Sequence, residues 1–361
     1  MITRFRRVLG LGVGAALLLV APVALAHDGP GDHAQAPRDA RSVTEAVLVG
    51  EGANTYQSVP NWCQIPEGRK NLGPTHGGVI VDKKGEIYFS MNSGDEGLLV
   101  YGADGKMIKG IGGKDLVGIH GICLNEENGE EFIYGAMNDK GKVVKLKLDG
   151  TVVWTIGVPM ESGKYKAANQ YHPTGVAVGP DGTVYIADGY GQNWIHVFDA
   201  NQKYVKSFGG KGTGPGQFQT CHGIAIDKRG PKPLLLVCDR ENKRLQHFDL
   251  DGKFVAVIAE NLRRPCAVSF MGDHVAIAEL AGRVAILDGN NKLVAALGDN
   301  PNVKQRADYN VPPSDWKDGI FNAPHGVSYD HDGNLYVEDW NASGRISKFQ
   351  KLGEKPQASA E

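Results

Sequence analysis

The stretch HGVSYDHDGNLYVED, residues 325–339, contains two short alternating apolar segments joined by an Asp-Gly turn. Alternation with a period of two buries one face of a strand, and the turn residues reverse the chain, so the stretch predicts a β-hairpin. The hairpin accounts for the valines, the tyrosines and the glycine. It does not account for His325, which stands immediately before the first apolar segment.

Five further stretches of the chain repeat this pattern. They read GGVIVDKKGEIYFS (77–90), HGICLNEENGEEFIYGA (120–136), TGVAVGPDGTVYIAD (174–188), HGIAIDKRGPKPLLLVCD (222–239) and CAVSFMGDHVAIAE (266–279). Third and fourth strands follow, as in WIHVFDANQKYVKSFG, and Asp, Asn and Gly turns join them. Four-stranded units repeated about every 43 to 59 residues are typical of a β-propeller. The sequence therefore predicts an all-β fold, a six-bladed β-propeller.

The sixth unit ends at RISKFQ, residues 345–350, with only three strands. The segment EAVLVG, residues 45–50, precedes the first unit and has no partner of its own. We predict that this N-terminal strand supplies the missing outer strand of the sixth blade and closes the ring, which also removes a free sheet edge. The propeller is thus expected to extend over residues 45–352.

The two ends of the chain differ from the repeats in composition. Residues 1–26 have arginines, then an apolar run, then Ala-Leu-Ala, the order found in a cleavable signal peptide, so we expect a secreted or periplasmic protein. Residues 27–44 are predicted to be a disordered linker, and residues 353–361 a flexible tail. A second long apolar run is missing, so no membrane span is expected. The formal charge of -2 offers no basic excess for binding nucleic acid. We also expect the protein to be a monomer.

Aligning the first strands of the six units places three histidines in one column. The column contains Gly77, His120, Thr174, His222, Cys266 and His325. It lies at the start of the innermost strand, beside the central channel, and alternate blades of a six-bladed ring are related by three-fold symmetry. Three imidazoles that meet on an axis, with solvent on one side, suit a catalytic Zn²⁺ or similar divalent metal. Alternatively, each of the three histidines only caps a strand or bonds a loop.

The second strands of the units end on the same face of the ring. They place Tyr190 and Arg240 near the mouth of the channel, together with Asp188, Asp239, Asp339 and Trp340. Tyr190 could act as a general base if a cation lowered its pKa, and Arg240 could bind a carboxylate through two parallel hydrogen bonds. The alternatives are a packed aromatic residue for Tyr190 and a structural ion pair for Arg240.

The run from YHPTGVAVGPDGTVYIADGYGQNW through CDRENKRLQHF resembles the NHL-repeat propeller of the peptidyl-α-hydroxyglycine lyases, and PHGVSYDHDGNLYVED is similar to its last blade. The resemblance covers about residues 70 to 350. It implies a lyase that splits peptidyl-α-hydroxyglycine into a peptide amide and glyoxylate. It also implies that His120, His222 and His325 hold zinc, that Tyr190 is the base, and that Arg240 binds the substrate carboxylate.

The chain departs from that family at three positions. The first blade, YFSMNSGDEGLLVYG, has no arginine where the family has a catalytic one. Gly326 follows the last histidine where the family has an acidic calcium ligand, so a Ca²⁺ site is left open, and Gly191 stands where a disulfide cysteine is common. The metal ligands are thus kept while the substrate end is altered. We therefore expect a small-molecule or peptide substrate on the channel face, either peptidyl-α-hydroxyglycine or a related small α-hydroxy compound.

Two other functions fit the same fold. A non-enzymatic NHL propeller would bind a protein, peptide or glycan, and then the long connections at 158–172 and 298–321 would matter more than the histidines. A calcium-dependent lactonase-type hydrolase would need acidic and amide ligands in the channel. Five cysteines leave at least one thiol unpaired, and Cys221 and Cys238 could face each other in one blade. Cys266 could be a soft fourth ligand or an inert buried thiol.

Overall fold

The computed structural model describes residues 45–353, which form six antiparallel sheets around a central channel. This arrangement confirms the predicted six-bladed β-propeller. The expected signal peptide, the linker and all of the tail except Gly353 lie outside the described residues. Within residues 45–353, none of the helices has the length and apolar character needed to span a bilayer.

Twenty-five strands are found in the described residues, and each blade runs outward from the channel in chain order. Two N-terminal strands, β1 (Leu48–Val49) and β2 (Tyr56–Val59), precede the first blade. Blade 1 consists of β3 (Val79–Val81), β4 (Ile87–Ser90), β5 (Leu98–Tyr101) and β6 (Met107–Ile111). Blade 2 consists of β7 (Ile122–Glu127), β8 (Glu130–Met137), β9 (Lys142–Lys147) and β10 (Val152–Ile156). Blade 3 consists of β11 (Gly175–Val178), β12 (Val184–Ala187), β13 (Trp194–Phe198) and β14 (Tyr204–Gly209).

The remaining blades follow the same order. Blade 4 consists of β15 (Cys221–Asp227), β16 (Leu234–Asp239), β17 (Arg244–Phe248) and β18 (Phe254–Ala259). Blade 5 consists of β19 (Pro265–Met271), β20 (His274–Glu279), β21 (Arg283–Leu287) and β22 (Leu293–Leu297). Blade 6 begins with β23 (Pro324–Tyr329), β24 (Leu335–Asp339) and β25 (Arg345–Lys351). The helices are α1 (Gly113–Leu116) and the 3-10 turns Gly52–Asn54, Asn138–Lys140, Met160–Ser162, Ala168–Gln170, Val303–Gln305 and Pro313–Asp315.

An N-terminal strand closes the ring, but it is not the predicted segment. The outer strand next to β25 is β2, with Tyr56 opposite Lys351 and Val59 opposite Lys348. The segment 45–50 contributes only β1, a fifth strand that pairs with the outside of β2. Tyr56 is fully buried in the core of blades 5 and 6, whereas Leu48 is exposed. We predicted EAVLVG because it is more apolar than the segment that forms β2. That criterion was wrong, since the outer part of a blade lies near the edge of its sheet and requires little apolar surface.

A glycine after the column residue allows the innermost strands to approach closely. A Cβ atom on Gly223 would lie 2.3 Å from the carbonyl oxygen of Cys266 in the next blade, and one on Gly326 would lie 2.9 Å from the backbone nitrogen of Val79. Contacts this short exclude any side chain. The repeated His-Gly pair is therefore a packing device as well as a site element, since the glycine brings the histidine beside the neighbouring blade.

Candidate metal centre and active site

Three imidazoles meet on the axis of the ring. The ring centroids of His120, His222 and His325 are 4.7 Å apart in every pair. All three side chains are buried, with exposed fractions of 1 to 2%. They come from blades 2, 4 and 6, as the column alignment predicts, and the structure brings them together at the start of the innermost strands.

Each imidazole is held by the next blade. The Nδ1 atom of His120 lies 2.8 Å from the carbonyl oxygen of Thr174, that of His222 lies 2.9 Å from the carbonyl oxygen of Cys266, and that of His325 lies 2.8 Å from the carbonyl oxygen of Gly77. A carbonyl only accepts, so each Nδ1 must donate its proton, which leaves Nε2 as the free acceptor in a neutral ring. Hydrogen bonds of this kind orient histidine ligands in metal sites.

The protonation state of the three rings also suits metal ligation. Burial lowers the pKa of His120 to about 4 and those of His222 and His325 well below the usual value. The imidazoles are therefore neutral at neutral pH, as ligation requires. Within residues 45–353, the Nε2 atom of His325 is buried without a hydrogen-bond partner. A metal ion would satisfy this orphaned acceptor, so the residues present fit a divalent cation.

The Tyr190 hydroxyl lies against two of the imidazoles, and Arg240 lies against Tyr190. The Tyr190 hydroxyl is 3.3 Å from Nε2 of His120 and 3.1 Å from Nε2 of His222. Arg240 donates from Nη1 to the same hydroxyl at 3.0 Å, and its guanidinium lies 5.2 Å from the centroid of the Tyr190 ring. Burial raises the pKa of Tyr190, while the Arg240 charge opposes that rise. Arg240 is thus a cation already placed to stabilise a phenolate.

A second arginine that the sequence analysis did not single out lies in the same cluster. Arg264 binds both carboxylate oxygens of Glu241 at 2.7 to 3.1 Å, and Arg240 donates to Glu241 at 2.9 Å. Two guanidiniums share one carboxylate, so a net positive charge remains at this side of the mouth. The residue comes from blade 5, and its neighbours in sequence carry no motif that marks it.

His76 is the second residue that sequence reasoning missed. Its ring centroid lies 4.8 Å from those of both His120 and His325. It stands one residue before the column. The column residue of blade 1 is Gly77, because its carbonyl oxygen accepts a hydrogen bond from His325 just as that of Thr174 accepts one from His120. The His-Gly pair at residues 76–77 is the signal that could have identified it, but an alignment of strands places Gly77 in the column.

The aspartates at the ends of the second strands do not line the mouth. Asp188, Asp239 and Asp339 are fully buried. Asp188 accepts backbone hydrogen bonds from His172 and Gln192, and Asp339 accepts from Asn322 and Ala323, while Asp239 pairs with Arg244. These carboxylates therefore fasten the loops that carry the site. Trp340 does reach the mouth, 5.6 Å from His76 between ring centroids.

Two departures from the lyase pattern have steric causes. A Cβ atom at Gly191 would lie 2.1 Å from a carboxylate oxygen of Asp188, so this loop excludes a cysteine. The backbone of blade 1 fills the space beside Gly326, so this position cannot carry a calcium-binding carboxylate. The five cysteines are all free; Cys221 is opposite Asp239 rather than Cys238. Cys266 is buried, and burial raises the pKa of its thiol to about 11.

The central channel below the imidazoles holds a cavity of about 310 Å³. Its wall is formed by the innermost strands of all six blades, which contribute valines and isoleucines from β3, β7, β11 and β15 as well as the polar Asn125, Lys228, Ser269 and Ser328. The three imidazoles are buried at one end of this channel, where electrostatic interactions are stronger than in water.

Two families match parts of the chain. One is described as a 6-bladed beta-propeller and matches residues 179–271, and the other is the NHL repeat, which matches residues 321–349. A solved structure described as that of streptogramin B lyase covers 84% of this chain and 97% of its own, with a TM-score of 0.54 and 14% identity. At that identity the likeness shows the fold alone.

Curated proteins match at modest identity. The mouse peptidyl-glycine alpha-amidating monooxygenase is 27% identical over 234 residues, which cover 61% of this chain and 22% of the mouse protein. A Caenorhabditis elegans protein named probable peptidyl-alpha-hydroxyglycine alpha-amidating lyase is 28% identical over 134 residues, 36% of each chain. The chain thus spans about a fifth to a third of these relatives. It is a six-bladed β-propeller with an NHL repeat, and its sequence is similar to those of peptidylglycine-amidating enzymes.

Proposed function

We propose that the protein is an exported, metal-dependent lyase that cleaves peptidyl-α-hydroxyglycine, or a related small α-hydroxy compound, at the mouth of the propeller channel. The observation that carries the proposal is the set of three buried, neutral imidazoles, two of which lie within 3.3 Å of a tyrosine hydroxyl that also accepts a hydrogen bond from an arginine. Similarity to amidating enzymes supports the same reaction class. His120, His222 and His325 would hold the metal, with zinc the first choice for three nitrogen ligands.

The groups of the site have separate roles in the proposed reaction. A bound zinc ion would supply Lewis-acid polarisation of the substrate hydroxyl. Tyr190, as a phenolate next to Arg240, accepts the hydroxyl proton. The C–N bond then breaks as the former hydroxyl oxygen forms the aldehyde C=O bond, and Tyr190 returns the proton to the departing amide nitrogen, which restores the phenolate. The products are a peptide amide and glyoxylate, and no net proton is gained or lost.

Arg240 and Arg264 would attract the carboxylate end of the substrate. Arg240 already donates from Nε to Glu241 and from Nη1 to Tyr190, and a ligand carboxylate would be bound by its other N–H groups. The net positive charge of the Arg240, Glu241 and Arg264 cluster favours an anion at this position. This cluster lies on blades 4 and 5. Its net positive charge would substitute for that of the arginine that blade 1 lacks.

The two other functions have less support. A calcium-dependent hydrolase would need carboxylates on the channel axis, but Gly326 has no room for one, and Glu338 directs Oε1 to the backbone nitrogen of Gly77 at 3.0 Å. A propeller that only binds a protein, peptide or glycan would not require three oriented neutral imidazoles. Glyoxylate release separates the binding protein from the enzyme.

Metal content tests the triad directly. We expect the wild type to retain about one divalent ion per chain, and His120→Ala, His222→Ala and His325→Ala each to bind it at least about 10 to 100-fold more weakly, because loss of a ligand exceeds loss of an outer-shell partner. Elemental analysis after dialysis measures this. His274→Ala, which removes a histidine paired with Asp273 away from the channel, is the control. Equal metal content in all five proteins would rule out the site.

The pH profile tests the pairing of Arg240 with Tyr190. Burial raises the pKa of Tyr190, and the Arg240 charge offsets part of that rise. Its loss in Arg240→Gln should therefore raise that pKa, so that the rise of kcat/KM with pH moves to higher pH. Arg263→Gln, which breaks only the ion pair with Asp299, should leave the profile in place. An unchanged profile in Arg240→Gln would contradict the proposed influence on the base.

A further inference from the structure

We infer that His76 is a fourth metal ligand, which closes the side of the imidazole triad that faces the channel mouth. This inference rests on the metal site proposed above and adds a residue that the column of histidines does not contain. One ring nitrogen from each of His76, His120 and His325 can be chosen so that all three lie within 4.8 Å of one another. Nitrogens that bind one tetrahedral zinc ion lie about 3.4 Å apart, so the rings would have to move closer together on binding the ion. His222, which groups with His325 and Cys266 instead, would have to join them.

His76 lies on the solvent-accessible side of the imidazole triad. The triad residues are 1 to 2% exposed, whereas His76 is only partly buried and contacts Trp340 at the mouth. The His76 ring is roughly parallel to that of Tyr190, with centroids 6.4 Å apart. His76 and Tyr190 therefore flank the same opening, through which a substrate would reach the axis.

Two other groups near the triad are weaker candidates. Cys266 groups with His222 and His325, but its buried thiol already lies 3.7 Å from the carbonyl oxygen of Arg264. The Tyr190 hydroxyl already interacts with Arg240. His76 instead offers an imidazole whose pKa is lowered well below the usual value, by burial first and then by the neighbouring His120, His325 and Arg240. Neutral imidazole is a good ligand for zinc and for cobalt.

His76 is also held less firmly than the triad. Each triad ring donates from Nδ1 to a carbonyl oxygen of the next blade, but no hydrogen bond links the His76 ring to any residue within 45–353. Four imidazoles would leave no vacant position in a tetrahedral site. A substrate hydroxyl would then have to replace His76 or bind beside it, and His76 is the ligand with the fewest restraints.

Cobalt(II) titration of the metal-free chain tests the inference. We expect the wild type to bind one cobalt ion with the intense visible absorption of a four-coordinate site. His76→Ala should bind cobalt about tenfold more weakly or worse. Its absorption should also weaken as water enters the vacant position, and added imidazole should restore it. His274→Ala is the matched histidine control, and the melting temperature of each metal-free variant checks that it folds.

The outcomes separate this inference from the proposed function. Cobalt affinity and absorption in His76→Ala equal to those of the wild type would overturn the role of His76 and leave the triad intact. A weakened site that imidazole does not restore would show a structural role and would also overturn it. A wild type that binds no cobalt, like its triad variants, would overturn the proposed metal site itself.

Discussion

Deletion of residues 45–59 is expected to lower the melting temperature of the whole propeller, not to fray one end of it. The deletion removes β2, whose residues pair with β25 from Tyr56 opposite Lys351 to Val59 opposite Lys348. It also empties the place of Tyr56, which is fully buried between blades 5 and 6. Loss of a buried aromatic side chain alone costs about 3 to 5 kcal/mol, so Tyr56→Ala should reproduce much of the effect.

A shorter deletion distinguishes the two N-terminal strands. Removing residues 45–50 takes away β1, which pairs only with the outer edge of β2 and whose Leu48 is exposed. We expect a small change in melting temperature for this variant and a large one for the longer deletion, as followed by circular dichroism. If the two deletions had equal effects, or if the variant lacking residues 45–59 had an unchanged melting curve, β2 would not be the strand that closes the ring.

Tyr190→Phe is expected to lower the rate of glyoxylate release by about 10² to 10⁴-fold, the usual contribution of a general base. The substitution keeps the ring and its contact with Arg240 and removes only the hydroxyl, which lies within 3.3 Å of His120 and His222. The measurement is glyoxylate release from an α-hydroxyglycine peptide with zinc present. Metal content should stay at the wild-type level, since the three imidazoles are unchanged.

Tyr309→Phe provides the matched control, because it removes the hydroxyl of another tyrosine at the mouth, one that packs on Trp340 with ring centroids 5.0 Å apart. It should retain nearly full activity. If Tyr190→Phe is as fast as the wild type, Tyr190 is not the base, although the enzyme stands. If the wild type releases no glyoxylate from these peptides, the lyase function itself is wrong.

The blades and the triad could be predicted from sequence because they depend on local, repeated patterns. An alternating strand, an Asp-Gly turn and a column residue recur in each unit, so alignment alone places His120, His222 and His325 at equivalent positions. Their mutual distances follow from the symmetry of the ring. The chemistry does not follow in the same way, and the metal and the reaction remain proposals.

The residues that were missed depend on contacts between blades. β2 is recognisable only by its pairing with β25, since its sequence, Tyr-Gln-Ser-Val, has little apolar pattern. His76 lies one residue outside the repeat, and Arg264 enters the site only because Glu241 of another blade pairs with it. No single repeat contains these relations.

The hydrogen bonds of the three imidazoles have a consequence for the cohesion of the ring. They join blade 2 to blade 3, blade 4 to blade 5 and blade 6 to blade 1, at alternate seams of the propeller. A ligand that binds only the folded state raises stability in proportion to the logarithm of its concentration. An ion held by all three rings would therefore stabilise three seams at once, including the one between the first and last blades, and its loss would weaken them together.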